Sequence, residues 1–178
     1  MELLDIYDLN RKRTGRTIPR GGEVREGERL LVVHVCVMSP DHRLLIQKRQ
    51  LTKDRYPGCW DLSAGGFVRS GEDSLDAVRR ELREEMGLHV GPGAVAFLFT
   101  EPFSYVLDDF YLAEADVPID ALRLQKEEVS EAMWASQPEV EAMIRDGRFV
   151  DYSPEVIRRV FALASAMSGN ASAGCQPL

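Results

Sequence analysis

Apolar residues recur in two different rhythms along this chain. Over Leu30–Met38 they run almost unbroken and Val-rich, bounded by Gly27 on one side and Ser39-Pro40-Asp41 on the other. That is the pattern of a central strand buried on both faces. A turn over 39–42 and a returning strand over 43–49 complete a hairpin. Between Ser74 and Met86 the period lengthens to that of a helix. Leu75, Val78, Leu82 and Met86 form one stripe, Glu72 and Asp73 stand at the positive end, and Gly87 follows where a left-handed stop is needed. Further strands are predicted over 94–100 and 103–113, joined at Glu101-Pro102, and over 128–135. Residues 53–60 read as loop, and 61–63 as a short strand that Gly65-Gly66 breaks. A short helix over 138–146 ends at Gly147. Another, Pro154–Met167, carries Val156, Val160, Phe161 and Ala164 on its apolar side, with Asp151 or Ser153 as cap. The first 28 residues are polar and turn-rich, with short β segments over Leu3–Tyr7 and 17–19 that predict a hairpin laid on the main domain.

The order β-β-β-α-β-β-β-α-α predicts an α/β (α+β) fold, a mixed sheet flanked by helices. The domain is expected over 29–167, behind an extension at 1–28 and ahead of a disordered tail at 168–178. With 178 residues, 44% of them hydrophobic, the chain holds one domain and can bury its own core. Lys plus Arg number 22 against 29 Asp plus Glu, a net charge of −7, so no general field attracts a nucleic-acid polymer. Small phosphates are repelled too unless a local cation recruits them. Cys36, Cys59 and Cys175 are odd in number and irregularly spaced, which fits a reducing compartment. The acidic start is unlike a signal peptide, and the longest apolar run is far short of a membrane span. A cytoplasmic protein, monomer or homodimer, is expected.

The chemistry concentrates between Gly66 and Leu88. At 100° per residue, Glu81, Glu84 and Glu85 share one side of the helix, roughly 110° from the apolar stripe, at the rim of the core. Glu84 can pair with Arg80 at i,i+4. Glu81 and Glu85 repel each other at the same spacing, and Glu81 has no basic partner one turn away. Such oxygen clusters suit a hard divalent cation, Mg²⁺ above all, which completes its shell with water and phosphate oxygens. Gly65-Gly66 would let backbone carbonyls approach the same ion. A solvated acidic face is the alternative for three Glu taken alone.

The wider pattern resembles the Nudix hydrolase signature, G-x5-E-x7-R-E-U-x-E-E-x-G-U with U aliphatic. Gly66, Glu72, Arg80, Glu81, Leu82, Glu84, Glu85, Gly87 and Leu88 fill every fixed position. Chance agreement is on the order of one in ten million. The resemblance implies an α/β/α sandwich and hydrolysis of a diphosphate linkage in a small phosphorylated substrate, with Mg²⁺ or Mn²⁺. It implies metal ligation by Glu81, Glu84 and Glu85, with Gly66 beside them, and support of the loop–helix–loop by Glu72 and Arg80. The general base differs between members, and the candidates here are Glu84, Glu85 and, on a later loop, Glu128 beside Glu127. Arg49 and Lys53, before the Pro57-Gly58 turn, are candidate phosphate contacts.

A second resemblance is to isopentenyl-diphosphate isomerases and the hydrolase-like proteins related to them. It rests on Asp8-Leu9-Asn10, Thr14-Gly15-Arg16, His34, the run 45–49 and Pro57-Gly58-Cys59-Trp60-Asp61. The isomerases use a Cys where this chain has Gly65, and metal-binding His where it has residues near Gly22, Leu30 and Phe67. Hydrolysis is therefore the leading expectation, with isomerisation and a non-catalytic phospholigand-binding module as rivals. His34, in an apolar strand, is expected as a satisfied core histidine, and Trp60 as packing beneath its loop.

Overall fold

The computed structural model describes residues 2–91, 93–167 and 175–177. A first hairpin pairs β1 (Leu3–Tyr7) with β2 (Arg13–Pro19). The main sheet takes β3 (Leu30–Met38), β4 (Leu44–Arg49), β5 (Trp60–Asp61), β6 (Ala64–Phe67), β8 (Val95–Phe103), β9 (Val106–Glu114) and β10 (Val129–Ala135). Its path runs β10-β4-β3-β9-β8, with β5 on β4 and β6 on β3. β3 lies parallel to β9 along its whole length, from Leu30↔Val106 to Met38↔Glu114. Helix α1 (Ser74–Met86) covers one face, and α2 (Gln137–Arg145) and α3 (Pro154–Met167) cover the other. The expected α/β/α layering is therefore present.

The two-residue period of β3 divides the core. Leu31, Val33, Val35 and Val37 pack with Val78, Leu82 and Met86 of α1. Cys36 and Met38 join Ile46, Phe110, Ile157 and Phe161 on the opposite face. Val32 and His34 share that second face but remain half-buried, because the sheet opens there.

The opening comes from the expected β3–β4 hairpin, which holds only at its root. The strands meet at Met38↔Leu44 and then part. Each takes a separate partner: β6 pairs β3 through Val32↔Phe67 and His34↔Gly65, and β5 pairs β4 through Gln47↔Asp61. Buried Ser63 bridges the fork, accepting from Val37 N at 2.8 Å and donating to Leu45 O at 2.6 Å. Backbone groups that a closed ladder would have paired are satisfied in this way.

Three local expectations need correction. Gly65 and Gly66 lie inside β6 rather than ending a strand, because the missing side chains allow close approach from both faces. The hairpin between β8 and β9 turns at Ser104-Tyr105, with Phe103↔Val106 as its last pair, not at Glu101-Pro102. Pro102 fits within β8 because that strand forms the sheet edge, where an absent N–H donor is tolerated. The buried face of α1 includes Ala77, Glu81 and Glu85 while Leu75 is only half-buried, so Glu81 and Glu85 lie within the packed face and only half-buried Glu84 stays at its rim.

Asp73 caps α1, accepting from Asp76 N at 2.8 Å, and Gly87 ends it at φ 65°. Of the expected tail, residues 168–174 and 178 lie outside the described residues. Cys175 is buried, and β11 (Gln176–Pro177) pairs with β7 (Leu88–His89). Among the described residues, no helix is long and apolar enough to cross a membrane.

The β1–β2 hairpin docks through Leu4, Ile6 and Ile18 against Leu30. Its loop sends Arg11 onto Asp109, a fully buried carboxylate that also accepts from Thr100 Oγ1 at 2.6 Å and Ser74 Oγ at 2.9 Å. Arg11→Ala would leave that charge, among the described residues, with hydroxyl donors alone. The expected loss is about 2–3 kcal/mol, discounted because Arg11 is partly exposed. Urea unfolding measures it, and a loss below about 0.5 kcal/mol would contradict this account of how the hairpin is held.

Candidate active site

Arg80 organises the box. It is buried on α1, and its Nε and Nη2 grip Glu72 at 2.8 and 2.9 Å. Nη2 also donates to Phe67 O at 3.0 Å, and Nη1 to Glu81 Oε1 at 2.5 Å, with Glu84 3.5 Å away. Glu81 therefore does have a basic partner on its own helix. The spacing argument misses it because both side chains sit in the packed face, where neighbours at i,i+1 can turn together. These pairings hold the Arg80 guanidinium above its ordinary range and lower Glu72 against its own partial burial. The expected i,i+4 pair of Arg80 with Glu84 is present, and Arg69 also reaches Glu84 at 3.5 Å.

Gly66 lies directly against Glu81. A Cβ at that position would sit 2.1 Å from Glu81 Oε1. Glu85, 7% exposed, receives Gln47 Nε2 at 2.7 Å and a long contact from Gly65 N at 3.4 Å. Burial is the main force raising its pKa, to about 8, and the charges of Glu81, Asp61 and Glu128 add to it. Burial likewise raises Glu81, which Arg80 only partly offsets. As they stand, no three His, Cys, Asp or Glu side chains among the described residues are disposed to hold a metal ion. Glu81 is turned onto Arg80, and Glu84 onto Arg80 and Arg69. The donor set nevertheless fits a divalent cation. Among the described residues Glu85 is a buried carboxylate with amide donors alone beside like charges, so it must bind a proton or a cation.

The other candidates are less free than the sequence implied. Glu128 and Lys53 are ion-paired with each other. Arg49 donates to Asp61 Oδ2 at 3.0 Å and to Arg55 O at 3.1 Å. Trp60 packs under its loop, with Lys48 over the ring at 5.7 Å. His34 is satisfied on both nitrogens, by Asp108 Oδ1 at 3.1 Å and Tyr152 Oη at 3.1 Å. Tyr152 donates to Asp61 Oδ1 at 2.9 Å. Sequence reasoning missed Gln47, Asp61, Asp108 and Tyr152. The available signals were a Gln inside the apolar β4 run and the Asp108-Asp109 pair inside β9.

Two outcomes follow. Gly66→Ala must push the Glu81 carboxylate off Arg80 and lose about 1.5–3 kcal/mol, the value of a charge-assisted hydrogen bond. In a Glu81→Ala background the same change should cost much less, and an equal cost in both backgrounds in urea unfolding contradicts the contact. The Glu85 pKa is higher in the folded chain than in the unfolded one. From the ordinary 4.5 to about 8, the folded chain therefore holds a proton that the unfolded chain has lost. Stability of the cation-free protein must fall as pH rises through that window, and Glu85→Gln must flatten the fall. Unfolding midpoints from pH 5 to 9 test this, and an unchanged slope in the variant refutes it.

Comparison with known proteins bears on the same residues. The profile of the NUDIX domain matches residues 28–153. The uncharacterized Nudix hydrolase lmo0368 of Listeria monocytogenes is 40% identical over 152 residues, covering 85% of this chain and 90% of that protein. Among solved structures, DR0079 from Deinococcus radiodurans aligns with a TM-score of 0.76 at 24% identity, over 89% of this chain and 98% of that one. The NUDIX domain of Shewanella oneidensis NrtR, crystallised with ADP ribose, aligns at 0.60 and 20% identity, over 83% and 93%. The complete box on a braced helix, the sandwich that carries it and the matched profile have one reading: the chain belongs to the Nudix hydrolase family.

Proposed function

We propose that this Nudix hydrolase cleaves a diphosphate linkage in a nucleoside diphosphate derivative or related phosphorylated metabolite, using Mg²⁺, with Mn²⁺ as substitute. The observation that carries the reading is Glu85, buried against Glu81 with donors, among the described residues, from Gln47 and Gly65 alone. Glu81, Glu84 and Glu85 would hold the cation together with the Gly66 carbonyl. A bound divalent cation neutralises diphosphate charge and acidifies a water.

The protein's own groups do the rest. Gln47 fixes the Glu85 carboxylate, and Arg80 holds Glu81 beside Gly66. Glu84, Glu85 and Glu128 are the carboxylates that could take the proton of the attacking water. Whichever of Glu84 and Glu85 takes that proton would act as base instead of as a ligand. Glu128 is tied to Lys53, so its use would require that pair to open.

Within the family, the segments around Asp8–Asn10, Thr14–Arg16 and Pro57–Asp61 support the isomerase-like branch. Isomerisation itself is disfavoured. Gly65 occupies the position of the isomerase thiol, Cys36 and Cys175 are buried with thiols raised well above their ordinary range, and Cys59 lies 3.9 Å from Gly147 O. A pure binding module has no use for buried, mutually repelling carboxylates.

With Mg²⁺ present, Glu85→Gln should lower hydrolysis of an accepted diphosphate by about 10³-fold while cooperative unfolding persists. Chelation should abolish wild-type turnover, and added Mg²⁺ should restore it. Wild-type rates in the variant, measured as released phosphate with mass-spectrometric product assignment, refute the assignment.

A further inference from the structure

β6 has two sides. One meets the box carboxylates, and the other borders a cleft of about 150 Å³ lined by Arg20, His34, Arg49, Gly65, Gly66 and Phe67. We propose that this cleft receives the terminal phosphoryl group of the substrate, so that the preferred class is diphosphate monoesters with a free phosphate end rather than diphosphates esterified at both ends. The inference rests on the diphosphate-hydrolysis reading above.

Size and charge carry the argument. The cleft is smaller than the usual 300–1,000 Å³ of pockets that enclose drug-sized ligands, so it suits a compact group better than a nucleoside. Each nearby aromatic ring already carries a cation. Phe67 carries the Arg20 guanidinium at 5.3 Å, and Trp60 carries Lys48 at 5.7 Å. A terminal phosphoryl carries more charge than an internal one and calls for converging cations. Arg49 spends Nε and Nη1 on Arg55 O and Asp61, and its Nη2 makes no hydrogen bond among the described residues.

Asp61 also lines the cleft, but its carboxylate is already engaged by Arg49, Tyr152 and Leu62 N. His34 is fixed by Asp108 and Tyr152 and stacked on Phe110 at 4.8 Å, which gives the cleft a rigid wall. Arg20 comes from the N-terminal segment just past β2 and is anchored by Glu2 at 3.0 Å. That segment therefore contributes a specificity residue to a cleft otherwise built by the sheet.

The test uses the full chain in two arms. Inorganic phosphate is first titrated by calorimetry into metal-free protein. Arg20→Gln should weaken binding roughly tenfold. Arg25→Gln, exposed on the same segment and outside the cleft, should bind as wild type does. Absent binding, or binding indifferent to Arg20→Gln, overturns the proposal. In the second arm, steady-state hydrolysis with Mg²⁺ compares nucleoside diphosphates with ADP-ribose. Arg20→Gln should raise KM about tenfold for the former and leave the latter unchanged. Equal effects on both, or none on either, overturn it. If nothing is hydrolysed, the diphosphate-hydrolysis reading fails, and the calorimetry alone still decides whether the cleft binds phosphate.

Discussion

Arg80 buries a guanidinium whose donors reach three parts of the chain at once. Glu72 lies in the loop before the helix, Glu81 and Glu84 on the helix, and Phe67 O at the end of β6. An arginine is the side chain suited to this, since its planar fork offers five donors in fixed directions and keeps its charge. If it were removed, a buried Glu81 would remain beside Glu85 without its hydrogen-bonded cation. The loop would also lose its grip on Glu72. Positioning of the carboxylates and integrity of the loop–helix–loop are therefore the same interaction.

The second constraint is the fork between β3 and β4. A regular hairpin would have closed the sheet and left no room beside Gly65 and Gly66. By parting after a single pair, the strands admit β5 and β6, which bring Asp61 and the two glycines toward Glu85. The acidic centre is thus assembled from α1, β4, β5 and β6, with Glu128 just before β10. That concentration of negative charge in a chain of net −7 gives a diphosphate no reason to approach unless a cation joins it.

Much of this was legible in the residues. The long strand Leu30–Met38 and the helix Ser74–Met86 with its acidic start and Gly87 stop follow from periodicity, and the box from its resemblance to the Nudix signature. What the sequence hid was non-local. The early departure of β3 from β4 depends on partners some thirty residues away. The Glu81–Arg80 pair depends on which helix face is buried. The chain Asp108–His34–Tyr152–Asp61–Arg49 joins residues from β3, β4, β5, β9 and the loop before α3, and no single window contains it. Arg49 and Lys53 looked free to meet phosphate because their partners, Asp61 and Glu128, come from elsewhere in the chain.

The central claim is that the buried box carboxylates form a divalent-cation site. The most direct measurement is the electron paramagnetic resonance signal of free Mn²⁺ during titration with protein at pH 7.5 to 8. The account predicts that the wild-type chain depletes the free-ion signal and that Glu81→Gln and Glu85→Gln, still folded, do not. A wild-type chain that leaves Mn²⁺ free, or variants that bind it as well as wild type does, would contradict it.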